Sequence, residues 1–210
     1  MSGLWGYALA DPRARAEISD LALMGLARGQ DQSLPMHAVA VGPAAIACRE
    51  FPNHTATIAR RALGEVQVAL ALYGSVFDLV GSGASNGQRE AHDRSGIAEA
   101  LVDAYLATGT DLWTRIRGDF VVAVWDGRDA ALRIVCDPFR VHPLFYAADR
   151  QSLVFGSRLA SLLARRGASS YDVDPESVLE VLVASVIPTP ATIYRGIHKL
   201  PPGTELTYRS

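Results

Sequence analysis

The sequence predicts an α+β fold in which antiparallel hairpins are covered by helices. Three observations carry this reading. Strand-like apolar runs come in groups: strands first, then helices, then more strands and helices, with no βαβ alternation. Asp126-Gly127 is a turn signal between Phe120–Trp125 and Ala131–Cys136, and the four-residue connection Gly127 to Ala130 suits a hairpin. Strands as apolar as Phe120–Trp125 need helices over them, so a layered sandwich follows.

In order along the chain, Leu4–Leu9 is a short apolar run that reads as a buried strand. Pro12–Arg28 has apolar residues at helical spacing, with Pro at the start and Gly29 past the end, and reads as a helix. His37–Val41 and Ala44–Cys48 are strands broken by Gly42-Pro43. Glu65–Tyr73 is a strand. The polar, Gly-rich run Gly81–Asp93 is a loop. Ile97–Thr108 is a helix and Asp111–Ile116 a second short one. After the hairpin, Pro143–Ala147 and Leu153–Gly156 are strands. Ser157–Arg165 and Pro175–Ala184 are helices, the latter with Asp174 as its cap and Pro in its first turn. Pro188, Pro190, Pro201 and Pro202 mark the last 25 residues as an extended lead-out, so the expected division is a domain over 1–186 and a lead-out over 187–210.

The bulk properties exclude several classes. With 210 residues, 49% hydrophobic and 20% charged, the chain is a globular domain and not a disordered segment. A formal net charge of -2 gives it no bulk attraction to nucleic acid or to anionic membrane. The start MSGLWGYALADPRAR is not built as a signal peptide, and no stretch nears the ~20 apolar residues of a membrane span. Two cysteines outside any C-x-x-C pair make no disulfide framework, so a reducing cytoplasm is the expected setting. No P-loop, Rossmann fingerprint, G-x-S-x-G elbow or metal-spaced histidine pair is present, so no cofactor is expected in this chain.

Four segments give the functional signal: RGDFVVAVWD (Arg117–Asp126), CDPFRVHPLFY (Cys136–Tyr146), LVFGSRLASLLA (Leu153–Ala164) and IPTPATIYRGIHKLPPGTEL (Ile187–Leu206). In this order and spacing they resemble the amino-terminal, glutaminase-type domain of the asparagine synthetase family, over roughly half the chain. The resemblance implies a four-layer αββα sandwich of two antiparallel sheets between helices, of the Ntn-hydrolase type. It also implies glutamine hydrolysis by an amino-terminal cysteine exposed when Met1 is removed, with the free α-amine as base.

Against that pattern the chain departs at each functional position. Ser2 stands at the nucleophile position; a serine with a free amine is workable chemistry in Ntn hydrolases. Ala44 and Ala45 fall where the family has the arginine that binds the substrate carboxylate. Tyr73-Gly74 takes the place of the Asn-Gly oxyanion pair, keeping the glycine and losing a donor worth ~10²–10³ in rate. Ser95-Gly96 replaces a Ser-Asp pair whose carboxylate holds the substrate amine. Arg140 stands where the family has a glycine, which predicts a locally different turn. Cys136 reads as a small core residue, and Cys48 likewise unless exposed beside Arg49.

The sequence therefore points to a degenerate glutaminase domain, with Ser2, Tyr73, Gly74 and Gly96 as its altered pocket positions. The partner so implied is an ATP-dependent, amide-forming synthetase domain, on the same chain or separate, which carries the ATP and Mg site; relatives of this type resemble β-lactam synthetases and lasso-peptide cyclases. Two alternatives stay open. One is an active glutamine-hydrolysing enzyme using Ser2. The other is a module binding a small amide or peptide against Tyr73 and the loop Gly81–Asp93. Self-association into a homo-oligomer is also open.

Overall fold

A computed structural model gives the structure, and it describes residues 3–25, 34–50, 55–80, 94–166 and 171–209. The strands are β1 (Gly3–Leu9), β2 (Met36–Val41), β3 (Ala44–Arg49), β4 (Thr55–Leu63), β5 (Val66–Leu79), β6 (Ile116–Asp126), β7 (Ala131–Cys136), β8 (Phe145–Ala148), β9 (Ser152–Gly156), β10 (His198–Lys199) and β11 (Glu205–Arg209). The helices are α1 (Ile18–Gly25), α2 (Arg94–Thr108), α3 (Leu159–Arg166) and α4 (Pro175–Ala184), with a 3₁₀ turn at Gly109–Thr114. One sheet runs β10-β8-β9-β1-β3-β2 and the other β11-β7-β6-β5-β4, every pair antiparallel.

Strand alternation builds the layers. In β1, Leu4 and Ala8 face the second sheet and join Ile46, Ala71, Tyr73, Val121, Trp125 and Phe155 in the buried space between the sheets. Trp5 and Tyr7 face the other way and pack with Leu21 and Met24 of α1 and Leu162 of α3. On the outer face of the second sheet, Val68, Leu70, Leu72, Val122 and Val124 meet Ala98, Leu101, Val102 and Tyr105 of α2, and Leu112 of the 3₁₀ turn. The result is the four-layer αββα sandwich that the resemblance implied.

The elements differ from expectation where side chains compete for backbone groups. Helix α1 begins at Ile18 and not at Pro12, because the preceding amides are already spent. Arg13 N–H donates to the Asp11 carboxylate at 2.9 Å, Ala14 N–H to the Asp11 carbonyl at 3.0 Å, Ala16 N–H to Gly42 at 2.8 Å and Glu17 N–H to the Tyr7 hydroxyl at 2.7 Å. The strand read as Glu65–Tyr73 continues through Gly74 to Leu79. Strand β4 was hidden by its polar residues, which serve α2: Arg61 donates to Asp103 at 2.8 Å and also pairs with Glu99. The short helix expected at Asp111–Ile116 is the 3₁₀ turn, and Ile116 opens β6. Ser157 is outside α3, whose first residue is Leu159. Strand β8 begins at Phe145, not Pro143. The run Gly81–Asp93 lies outside the described residues.

The stretch 187–210 is more than an extended lead-out. His198–Lys199 pairs with β8 in one sheet, and Glu205–Arg209 pairs with β7 in the other. Ile197 and Leu200 are buried. Proline lacks an N–H for a ladder, but no pairing residue is a proline: His198–Lys199 lies between Pro190 and Pro201, and Glu205–Arg209 follows Pro202. Trp113 fastens β11 by donating its indole N–H to Glu205 at 2.6 Å.

An ion pair between the buried Asp126 and the exposed Arg128 closes the far end of the β6–β7 hairpin. The Asp126 carboxylate accepts from the Tyr105 hydroxyl at 2.9 Å, the Arg128 guanidinium at 2.7 Å and the Arg128 backbone N–H at 2.9 Å. Burial acts to raise this carboxyl, and those hydrogen bonds outweigh it, holding it below the usual carboxylate range.

Candidate functional site

Ser2 lies outside the described residues, so the site is built from what surrounds the amino end of β1. That end is held by Ser157. Its amide and hydroxyl donate to the Leu4 carbonyl at 2.8 and 3.1 Å, and its hydroxyl oxygen accepts from Leu4 N–H at 3.0 Å. A Cβ on Gly3 would lie 2.7 Å from the Ser157 Cβ, so this close approach needs glycine. The clamp explains the Phe155-Gly156-Ser157 segment: β9 carries Ser157 to the start of β1.

From the second sheet, β5 supplies Tyr73 and Gly74. Tyr73 is buried between the sheets in the same cluster as Leu4, with its ring edge-on to His142 at 4.9 Å between centroids. Its phenol is thus part of the packed layer between the sheets, 6% exposed. Gly74 has φ +116, and a Cβ there would lie 2.0 Å from the Asp119 carbonyl oxygen and 2.9 Å from the Phe120 Cα. Across the pair, a Cβ on Gly118 would meet the Ser75 carbonyl at 2.1 Å. Strands β5 and β6 therefore approach each other so closely here that only glycine fits. The neighbouring amide, Ser75 N–H, donates to the Asp119 carboxylate at 3.0 Å.

The remaining predicted positions are carried by other elements, α2 and β3. Gly96 is in the first turn of α2, whose apolar residues cover the outer face of the second sheet. Ala44 and Ala45 pair with Ala8 and Tyr7, near the carboxyl end of β1. With ~3.3 Å of rise per residue, that is roughly 16 Å along the strand from Gly3. The residue of β3 opposite Gly3 is Arg49. Sequence reading did not see it as the neighbour of the nucleophile position, because only the antiparallel register reveals it. Its guanidinium, however, lies against Trp5 at 5.8 Å and 3.8 Å from the Met36 sulfur, on the helix side of the sheet.

Neither cysteine is a nucleophile. Cys48 is fully buried, as its reading as a small core residue expects, and the exposure on which activation by Arg49 depended is not met: burial pushes its thiol up, and Glu50 adds to this. Burial likewise raises Cys136, whose thiol donates to the Pro201 carbonyl at 3.0 Å. At Arg140 φ is +49, the left-handed backbone conformation that favours glycine. The guanidinium offsets that cost by donating to Thr189 at 3.0 Å and to the Leu200 carbonyl at 3.3 Å. His142 and Ser157 are further site neighbours that local pattern could not place. Among the described residues no group of three or more His, Cys, Asp or Glu could hold a metal ion, and no helix is long and apolar enough to cross a membrane.

Two antiparallel sheets between helices, with the amino terminus leading into the strand that faces Tyr73-Gly74, define a glutaminase-type amidotransferase-like domain. Residues 1–210 match the model described as "Glutamine amidotransferase domain", and the chain belongs to that family. Asparagine synthetase (glutamine-hydrolyzing) 1 of Bacillus subtilis is 26% identical over 111 residues, 53% of this chain and 17% of that protein. Asparagine synthetase (glutamine-hydrolyzing) 3 of the same organism is 30% identical over 117 residues, 55% of this chain and 19% of that protein. The matched stretch is therefore less than a fifth of the length of these relatives. A solved structure of glutamine phosphoribosylpyrophosphate amidotransferase from B. subtilis, complexed with ADP and GMP, aligns at a TM-score of 0.42 and 15% identity, over 60% of this chain and 30% of that one.

Proposed function

We propose that this chain is a glutaminase-type domain that does not hydrolyse glutamine and serves as the folding and docking partner of an ATP-dependent, amide-forming synthetase domain. The observation that carries the reading is Tyr73. At the position where the resemblance calls for an oxyanion-stabilising amide, the side chain is a phenol buried between the sheets against His142. Glutamine hydrolysis needs nucleophile, oxyanion donor and substrate anchors as one constellation. Here the nucleophile position is Ser2, and the position of the amine-binding carboxylate is Gly96. Gly74, the one oxyanion residue kept, is required by the close approach of β5 and β6 whether or not catalysis occurs. In this reading ATP and Mg belong to the synthetase domain, as in the β-lactam synthetases and lasso-peptide cyclases that the chain resembles.

The test is glutamate release from glutamine by the purified chain, with Ser2→Cys and Ser2→Ala beside it. Silence from all three folded proteins is the expected result. Release by wild type that Ser2→Ala abolishes would overturn the proposal and establish a serine-dependent glutaminase. Activity confined to Ser2→Cys would mean the pocket is intact and only the nucleophile has changed.

A further inference from the structure

Helix α4 is built unlike the others. Of its ten residues, Pro175–Ala184, only Ser177 is buried. Leu179, Leu182 and Val183 are 60%, 77% and 79% exposed, with Val178, Val181 and then Val186 exposed as well. At ~100° per residue, Val178, Leu179, Leu182 and Val183 fall on one stripe. A ten-residue helix is marginal alone in water and takes its stability from packing its apolar face. Here that face points outward. The segments flanking the helix are tied to the domain: Asp174 N–H donates to the Ile193 carbonyl at 2.9 Å, Asp174 pairs with Arg195 at 3.4 Å, and Lys199 donates to the Ile187 carbonyl.

A second exposed apolar element lies near the segment that follows α4. The Arg140–Thr189 hydrogen bond brings the β7–β8 loop against the segment following α4, and that loop exposes Phe139 (84%) and Val141. Exposed apolar surface of this kind, where it is contiguous, marks an interaction site. Its edge is cationic. Burial, followed by Arg140, holds the Lys199 ammonium below its usual range, and Glu180 of α4 is the acidic neighbour. A partner covering this face fits best with an apolar groove and carboxylates toward Arg140 and Lys199.

We propose that the α4 stripe, with Phe139 and Val141, is the surface on which the synthetase domain docks; this rests on the function proposed above. That occupant is favoured because the relatives carry more than four-fifths of their length outside the portion matching this chain. Helices α1, α2 and α3 bury apolar residues against the sheets, whereas α4 leaves its own exposed.

The experiment fuses the 210-residue chain to the portion of B. subtilis asparagine synthetase 1 beyond its matched stretch. Tethering raises the effective concentration to ~mM, so even weak docking registers. Hydrogen exchange is compared between the fused and the isolated chain. Expected is a slowing of at least tenfold at 175–186 and 138–141 in the fusion. It should be lost in Leu182→Asp/Val183→Asp, with β5 and β6 exchange unchanged as the control for folding. Equal exchange at α4 in both proteins, or protection only on another face, overturns the proposal. So does protection already present in the isolated chain together with a dimeric mass, because a second copy would then cover the face. Glutamate release measured on the same sample reports on the proposed function separately: activity would sink that reading and leave the docking result standing.

Discussion

Replacing Gly74 by alanine tests why this glycine is present. The added Cβ would lie 2.0 Å from the Asp119 carbonyl oxygen, 2.9 Å from the Phe120 Cα and 3.0 Å from the Asp119 carbonyl carbon. All three are backbone atoms of β6, so no side chain can swing aside, and β5 and β6 must part by over an ångström. The φ of +116 alone costs an L-residue about 1–3 kcal/mol. Each ladder hydrogen bond weakened by the separation costs about 1 kcal/mol. A total near 4 kcal/mol follows. The internal control is Gly64→Ala, at φ +66 with no atom within 4 Å, where only the conformational cost of about 1 kcal/mol applies. With an m-value of about 2 kcal/mol/M in urea, the midpoint should fall by about 2 M for Gly74→Ala and about 0.5 M for Gly64→Ala. Midpoints within about 0.3 M of each other would refute the reasoning. Gly74 would then have no structural necessity, and its presence would favour a surviving oxyanion hole.

Four further predictions concern other parts of the account. Tyr105→Phe removes a hydrogen bond to a buried carboxylate and should cost about 2 kcal/mol in urea unfolding at pH 7. The Asp126 carboxyl is held below its unfolded value, so its contribution is present above about pH 4 and is lost as the pH falls through its folded value; Asp126→Asn should flatten that acid limb of stability against pH. An aromatic disulfide reagent should label neither Cys48 nor Cys136 in the native chain and both in denaturant, as two buried thiols with raised pKa require. The truncated chain 1–186 should show no cooperative unfolding transition, since it loses β10, β11 and the buried Ile197 and Leu200; a sharp transition with native-like stability would contradict the register described above.

The parts legible in the sequence were those with a local cause. The β6–β7 hairpin follows from two apolar runs and a turn, and Pro175–Ala184 is a helix that starts where Asp174 and the first-turn Pro suggest. What escaped depends on contacts between distant residues. Strand β4 spends Arg61 on α2, and Gly74 reads as a breaker until β6 is brought against it. The Pro-rich end looks like a linker until β7 and β8 offer it edges to pair with. At the site, Ser2, Tyr73 and Gly96 were legible only through resemblance to a family. That Arg49 and not Ala44 or Ala45 stands opposite Gly3 is a fact of register. His142 reaches Tyr73 across 69 positions of sequence, which no local pattern encodes.

The central claim is that the fold of a glutaminase domain persists here without its catalytic constellation. Its most direct measurement is intact-mass spectrometry of the purified chain after exposure to a diazo-ketone analogue of glutamine, which alkylates an activated amino-terminal nucleophile. The account predicts a mass unchanged by the analogue, in wild type as in Ser2→Ala. A single adduct on wild type, mapped to Ser2 and absent from Ser2→Ala, would contradict it.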